Sequence, residues 1–175
     1  ENAVQCLLED SKNQLWVGTT NSGGLNVLNK TTGKFKHYFS GTDILSLFQD
    51  AEGVIWVSTN TGLFYLQSDF TSFSPFIDLI PTRQLKNVLS IIEDDEKNLW
   101  LFTNTTIIRL SPQRNKILIY GKEFGVSSTL INFVKSIKAP NGEIMCGNQN
   151  GYYAFFPKQI INYSIAPQIS LTDFL

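Results

Sequence analysis

A tryptophan returns along this chain inside one short frame, and that frame limits the possible folds more than any other feature. Leu15-Trp16-Val17-Gly18-Thr19 follows Asp10 and precedes Gly24-Leu25. Ile55-Trp56-Val57-Ser58-Thr59 follows Asp50 and precedes Gly62-Leu63. Leu99-Trp100-Leu101-Phe102-Thr103 follows Asp94, and a worn copy, Ile144-Met145-Cys146-Gly147-Asn148, precedes Gly151-Tyr152. Successive copies lie 40, 44 and 45 residues apart. A period of about 40–45 residues is that of a propeller blade, in which each repeat is one small antiparallel sheet.

The local patterns agree with strands. Apolar runs at residues 4–8, 44–48, 88–92 and 133–137 have no helical period, and each leads through a turn into the Trp-bearing stretch. Third strands are expected at residues 25–28, 63–66, 107–110 and 152–156, and fourth strands at 35–39, 70–76 and 116–120. An aromatic content of 13% suits half-buried pleated surfaces. The expected class is all-β: about four blade units of up to four antiparallel strands, at about residues 1–40, 41–84, 85–129 and 130–157. Trp16 and Val17 point to opposite sides of their strand, as do Trp56 and Val57, so these strands are buried on both faces. Each tryptophan then fills the wedge between neighbouring blades, burying about 150–250 Å².

The turn before each tryptophan has its own chemistry. Asp50 opens Asp50-Ala51-Glu52-Gly53, where its carboxylate accepts backbone N–H groups and Gly53 takes the left-handed conformation. Asn13 holds the equivalent place after Asp10. In the third unit Lys97 falls there, so either residues 95–98 form the turn one residue later or the hairpin is irregular. Ala139-Pro140-Asn141-Gly142 loses the aspartate and keeps the glycine.

Composition narrows the class of function. The formal net charge is −1, with scattered lysines and arginines, which argues against nucleic acid or an anionic membrane as partner. No apolar run is long enough to span a bilayer as a helix. The abrupt opening at Glu1, close to an apolar strand pattern, is expected of a piece of a longer protein. Cys6 and Cys146 lie in the first and last units without zinc-site spacing, and read as two separate buried thiols.

The pattern D-x(5)-W-[VL]-x-T, with Gly-Leu opening the next strand, resembles the two-component-regulator propeller repeat. Asp10 with Trp16 to Thr19 and Gly23-Gly24-Leu25-Asn26 matches it almost fully; Asp50 with Trp56 to Thr59 has Ser for Gly, and Asp94 with Trp100 to Thr103 has Phe for Gly. Asn150-Gly151 with the apolar residues 152–156 and Pro157 resembles the last blade of such a propeller. Pro167-Gln168-Ile169-Ser170-Leu171-Thr172-Asp173-Phe174 resembles the first strand of the immunoglobulin-like domain that follows it, making residues 158–175 a linker and that strand. The resemblance implies a periplasmic sensor region of a hybrid two-component system of the kind common in gut Bacteroidetes. Two seven-bladed propellers and the immunoglobulin-like domain would precede a transmembrane helix, histidine kinase, receiver and DNA-binding domain. The implied signals are oligosaccharides released from glycans.

No catalytic constellation emerges. His37 is the single histidine and reads as an exposed bystander on an outer strand, and a transition-metal site lacks ligands. The acidic pairs Glu9-Asp10, Glu93-Asp94 and Asp94-Asp95 are explained by turn chemistry. No cofactor is implied, and this part of the protein is expected not to be an enzyme. The runners-up are a propeller carbohydrate hydrolase or lyase, although the arginines are only Arg83, Arg109 and Arg114, and a plain protein-interaction propeller. A bound sugar would lie on the loops at residues 20–23, 60–61, 104–106 and 149–150, which also read as simple Asn/Thr turns; no residue is assigned as a ligand contact. Four units suggest an open arc with apolar end faces, covered by missing blades of the same protein or by a second copy.

Overall fold

In a computed structural model, residues 3–66, 72–76, 85–126, 135–148 and 151–160 are described. They form four antiparallel sheets. The first is β1 (Val4–Glu9), β2 (Gln14–Thr19), β3 (Leu25–Asn29) and β4 (Phe35–Tyr38), ordered as in the chain. The second is β5 (Ile44–Gln49), β6 (Ile55–Thr59), β7 (Leu63–Leu66) and β8 (Phe73–Pro75). The third is β9 (Ser90–Glu93), β10 (Leu99–Phe102), β11 (Ile107–Leu110) and β12 (Ile117–Tyr120). β13 (Ser136–Lys138), β14 (Ile144–Asn148) and β15 (Gly151–Phe155) make the fourth. The chain is a four-blade stretch of β-propeller.

Some expected elements are shorter than the pattern suggested. The first strand of the third blade opens at Ser90, with Val88 fully buried ahead of it and the Leu89 N–H donating to the Phe102 carbonyl of the neighbouring strand. Of the fourth strand expected in the second blade, Phe73–Pro75 is strand, the Phe76 N–H beyond it donates to the Leu63 carbonyl, and residues 70 and 71 lie outside the described residues. Residues 133 and 134, and the proposed strand from Pro167, lie outside the described residues.

Strands β1, β5, β9 and β13 stand side by side, each against the next, so they form the inner wall of the arc. Side-chain alternation then decides what each blade shows its neighbours. In the first blade Leu8, Trp16 and Val27 lie in register across β1, β2 and β3 and face the second blade. The second blade meets them with Ile55, Val57 and Leu66, while Trp56 on its other face packs toward the third blade with Leu99, Leu101 and Leu110. Trp100 in turn meets Ile144, Cys146 and Phe155 of the fourth. There are thus three wedge cores, one per junction, each holding one indole that is 2%, 3% or 0% exposed. β6 and β10 are buried along their whole length, as expected for strands with a blade on either side.

The end faces differ. Leu7, 62% exposed, and Phe35, 58% exposed, mark the open side of the first blade, and Leu15, Val17 and Leu28 between them are half-buried. The equivalents of Leu15, Val17 and Leu28 in the second and third blades are buried. At the other end Ile137 and Tyr152, 59% and 71% exposed, flank the half-buried Met145.

Candidate functional site

The repeated aspartates fix the local geometry first. Asp10 Oδ1 accepts the N–H groups of Lys12 and Gln14, and its Oδ2 accepts the Trp16 indole N–H at 2.8 Å. Asp50 treats Glu52, Val54 and Trp56 in the same way, and Asp94 treats Glu96, Asn98 and Trp100. Turn chemistry was therefore half of the aspartate's task. The other half is to satisfy a buried indole donor, which would otherwise cost about 1–3 kcal/mol. These carboxylates are occupied by structure and are not poised as acids or bases. The fourth blade has lost both partners at once, with Ala139 for aspartate and Met145 for tryptophan, so neither is left unsatisfied.

The irregular hairpin of the third blade resolves as a regular turn. Lys97 itself takes the left-handed conformation, φ 67°, and donates its N–H to the Asp94 carbonyl, so the turn is not displaced by a residue. Two contacts hold it there. Asn98 Nδ2 donates to both Asp94 oxygens, and Arg114 Nη1 donates to the Lys97 carbonyl at 2.8 Å.

A contact between blades recurs at the residue just before each turn. Gln49, at the end of β5, accepts the Ser11 N–H and donates to the Ser11 hydroxyl of the preceding blade. Glu93, at the end of β9, accepts the Ala51 N–H. Lys138, at the end of β13, donates to Asp95. Ser11, Ala51 and Asp95 are equivalent, each following the first residue of its turn. We call this contact the latch. At the middle junction Arg114 Nη2 also reaches Asp50 Oδ2 and Glu93 Oε1, at 3.2 and 3.4 Å, and its guanidinium lies 5.7 Å from the Trp56 ring centroid. Asp50 and Glu93 thus form a convergent pair of carboxylates, but an arginine stands between them and both are buried. That is a structural network, not a glycosidase pair open to substrate.

The loops expected to meet a ligand are built on threonine. Thr19, Thr59 and Thr103 donate their hydroxyls to the carbonyls of Gly24, Gly62 and Thr106. Thr59 and Thr103 also accept backbone N–H groups from within their loops. Asp43 brings two of the loops together: its carboxylate accepts the Ser22 N–H and its carbonyl accepts the Asn60 N–H. Asn21, Ser22, Asn60, Thr61 and Thr105 are exposed, whereas Asn104 is half-buried and its Oδ1 has no partner among the described residues. Residues 149–150 lie outside the described residues.

Clefts open between blades instead. One of about 410 Å³ lies between the first and second, with Trp16, Tyr38 and Ile55 at its floor and Gln14, Asn29, Lys34 and Lys36 around it. One of about 260 Å³ lies between the third and fourth, walled by Trp100, Tyr120, Phe124, Tyr153 and Phe155. Burial raises the Tyr120 phenol above its ordinary value, with Arg109 opposing. His37 is exposed, 2.6 Å from Asn26 Oδ1 and stacked on Phe35, on the open side of the first blade. Among the described residues no group of three or more His, Cys, Asp or Glu side chains could hold a metal ion, and no helix is long and apolar enough to cross a membrane.

The repeat frame agrees with a known family. Residues 1–21 and 38–61 match the two-component regulator propeller family. The first two blades carry two-component-regulator propeller repeats. The chain is 33% identical over 184 aligned residues to histidine kinase P4 of Formosa agariphila, covering 99% of itself and 13% of that protein. Among solved structures, it resembles the extracellular domain of a protein described as a hybrid two-component system from B. thetaiotaomicron. The TM-score is 0.78 at 22% identity, covering 91% of this chain and 22% of that one. It also resembles virginiamycin B lyase from Staphylococcus aureus, with a TM-score of 0.64 at 14% identity, covering 88% of this chain and 55% of the other. At such identities both likenesses speak for the propeller fold alone, one being an extracellular domain and the other a lyase.

Proposed function

We propose that these blades belong to the extracytoplasmic, periplasmic sensor region of a hybrid two-component signalling protein, and that they help to detect oligosaccharides released from glycans. The reading rests on the repeat match over residues 1–21 and 38–61. Two observations support it. The repeated aspartates are committed to indoles and turns, which favours binding over catalysis in this part of the protein. The cleft between the first and second blades combines aromatic rings with amide, hydroxyl and ammonium groups, the mixture that sugar rings and hydroxyls require, and the cleft between the third and fourth offers aromatic walls with tyrosine hydroxyls. The open end faces are covered by further blades of the same protein, or by a second copy when those are absent. Residues 158–175 then lead into an immunoglobulin-like domain, and signalling passes to a kinase elsewhere in the polypeptide.

Titration calorimetry of the intact sensor region against a panel of glycan-derived oligosaccharides tests this. Saturable heat with one class of sugar is expected. A panel that gives no heat, with the folded state confirmed by tryptophan fluorescence, would rule out the ligand class.

A further inference from the structure

The latch makes the two ends of the arc unequal. In each blade the position just before the turn reaches back to the preceding blade, where it needs a donor or a charged partner. Glu9 holds that position in the first blade and is 57% exposed. It is already arranged as Glu93 is. Glu93 gives Oε1 to Arg114, a cation on the turn between the third and fourth strands of its own blade, and Oε2 to the Ala51 N–H of the blade before. Glu9 gives Oε2 to Lys30, from the same turn of its own blade, at 2.7 Å, and its Oε1 has no partner among the described residues. Around it Leu7, Leu15, Val17 and Leu28 repeat the set that Leu47, Ile55, Val57 and Leu66 bury against the first blade.

The far end cannot answer this arrangement. The residue after the first turn position is Ser11, Ala51 and Asp95 in the first three blades, but Pro140 in the fourth. Proline has no N–H and its side chain offers no donor. A fourth blade docked on Glu9 would strip water from a carboxylate and return no hydrogen bond, which is unfavourable.

We propose that the open face of the first blade docks a further propeller blade bearing an unblocked N–H just after the first residue of its turn, and that Pro140 bars the fourth blade, of the same or another copy, from that role. Copies of this chain therefore do not grow head to tail; two first-blade faces would bury Glu9 of each copy with no donor from the other, so any self-association joins fourth-blade faces and stops at a dimer. This holds whether or not an oligosaccharide binds.

Sedimentation velocity over a range of concentrations tests it with the wild-type chain, Pro140→Ser, Pro140→Ala and the double variant Pro140→Ser, Glu9→Ala. Ser and Ala are the residues found at this position in the first two blades, and tryptophan fluorescence checks that each variant folds. Wild type is expected to show nothing larger than a dimer. Both single variants are expected to form larger head-to-tail species, with association strengthened at least about tenfold, and Glu9→Ala is expected to reverse it. Wild-type assemblies beyond a dimer would overturn the proposal. So would single variants that sediment like wild type, or growth that persists without Glu9.

Discussion

The junction between the first and second blades and the junction between the second and third share one design and differ in the charge of the latch. Each has a buried indole bonded to an aspartate, and each has a latch from the end of an inner strand to the preceding turn. At the first junction the latch is Gln49, a neutral group that satisfies itself with Ser11 and the Gly53 carbonyl. At the second it is Glu93, and a carboxylate beside the buried Asp50 calls for a cation, which Arg114 supplies. The third junction uses Lys138 and Asp95 near the surface. The repeat thus holds each blade to itself by a fixed bond, while the grip between blades is chosen junction by junction.

Removing Arg114 should break the comparison hardest. Arg114→Ala leaves two buried carboxylates uncompensated and frees the Lys97 carbonyl, so a loss of about 3–5 kcal/mol is expected by denaturant unfolding. Adding Glu93→Gln converts the second junction toward the first and should recover a good part of that loss. If the double variant is no more stable than Arg114→Ala alone, charge is not what separates the two junctions. The reverse change, Gln49→Glu, places a carboxylate at the first junction without an arginine and should cost about 1–3 kcal/mol.

The thiols sharpen the comparison further, since Cys6 lies in the first wedge core and Cys146 in the third. Burial pushes them up to about 11 and about 12, with Lys135 opposing at Cys6. An unfolded thiol deprotonates near 9.0, so above that pH the unfolded chain binds fewer protons and stability should fall as pH rises toward 11. Cys146→Ala should make the fall shallower; an unchanged slope would show that the thiol does not titrate this way. The smallest effect is expected at Lys138. The Lys138 hydrogen bond, aided by its charge, holds the Asp95 carboxyl below its ordinary value. The pair's contribution is present above that ordinary value and is lost as pH falls through the lowered one. Lys138→Ala should therefore remove a little stability near neutral pH and almost none in acid, with salt shrinking the difference.

The blades were legible because a buried indole must recur wherever one sheet wedges against the next, and so leaves a period in the sequence. The bond from Asp10 to Trp16 was legible too, as a constant offset in three units with both residues missing from the fourth, although only the turn half of it was read. In the sequence, turn chemistry accounts for Glu9-Asp10 and Glu93-Asp94 alike. Only the second residue of each pair serves the turn; the first is the latch, whose partner lies 42 residues away in the case of Glu93. The unfavourable Lys97 could not be resolved locally, because its support comes from Arg114, brought near only when the outer turn folds back. The clefts depend on how far blades splay, which the tryptophan period does not encode.

Gly18 shows how far that splay is set in advance. A Cβ there would lie 2.5 Å from Cys6 Sγ and 2.6 Å from Ile44 Cγ2, so the first two blades approach as closely as backbone permits. The same position is Ser58 in the second blade and Phe102 in the third, where a whole ring fits between neighbours. These units are not interchangeable parts. Recombination that shuffled them, or an engineer who copied one several times, would change the pitch of the fan at every seam.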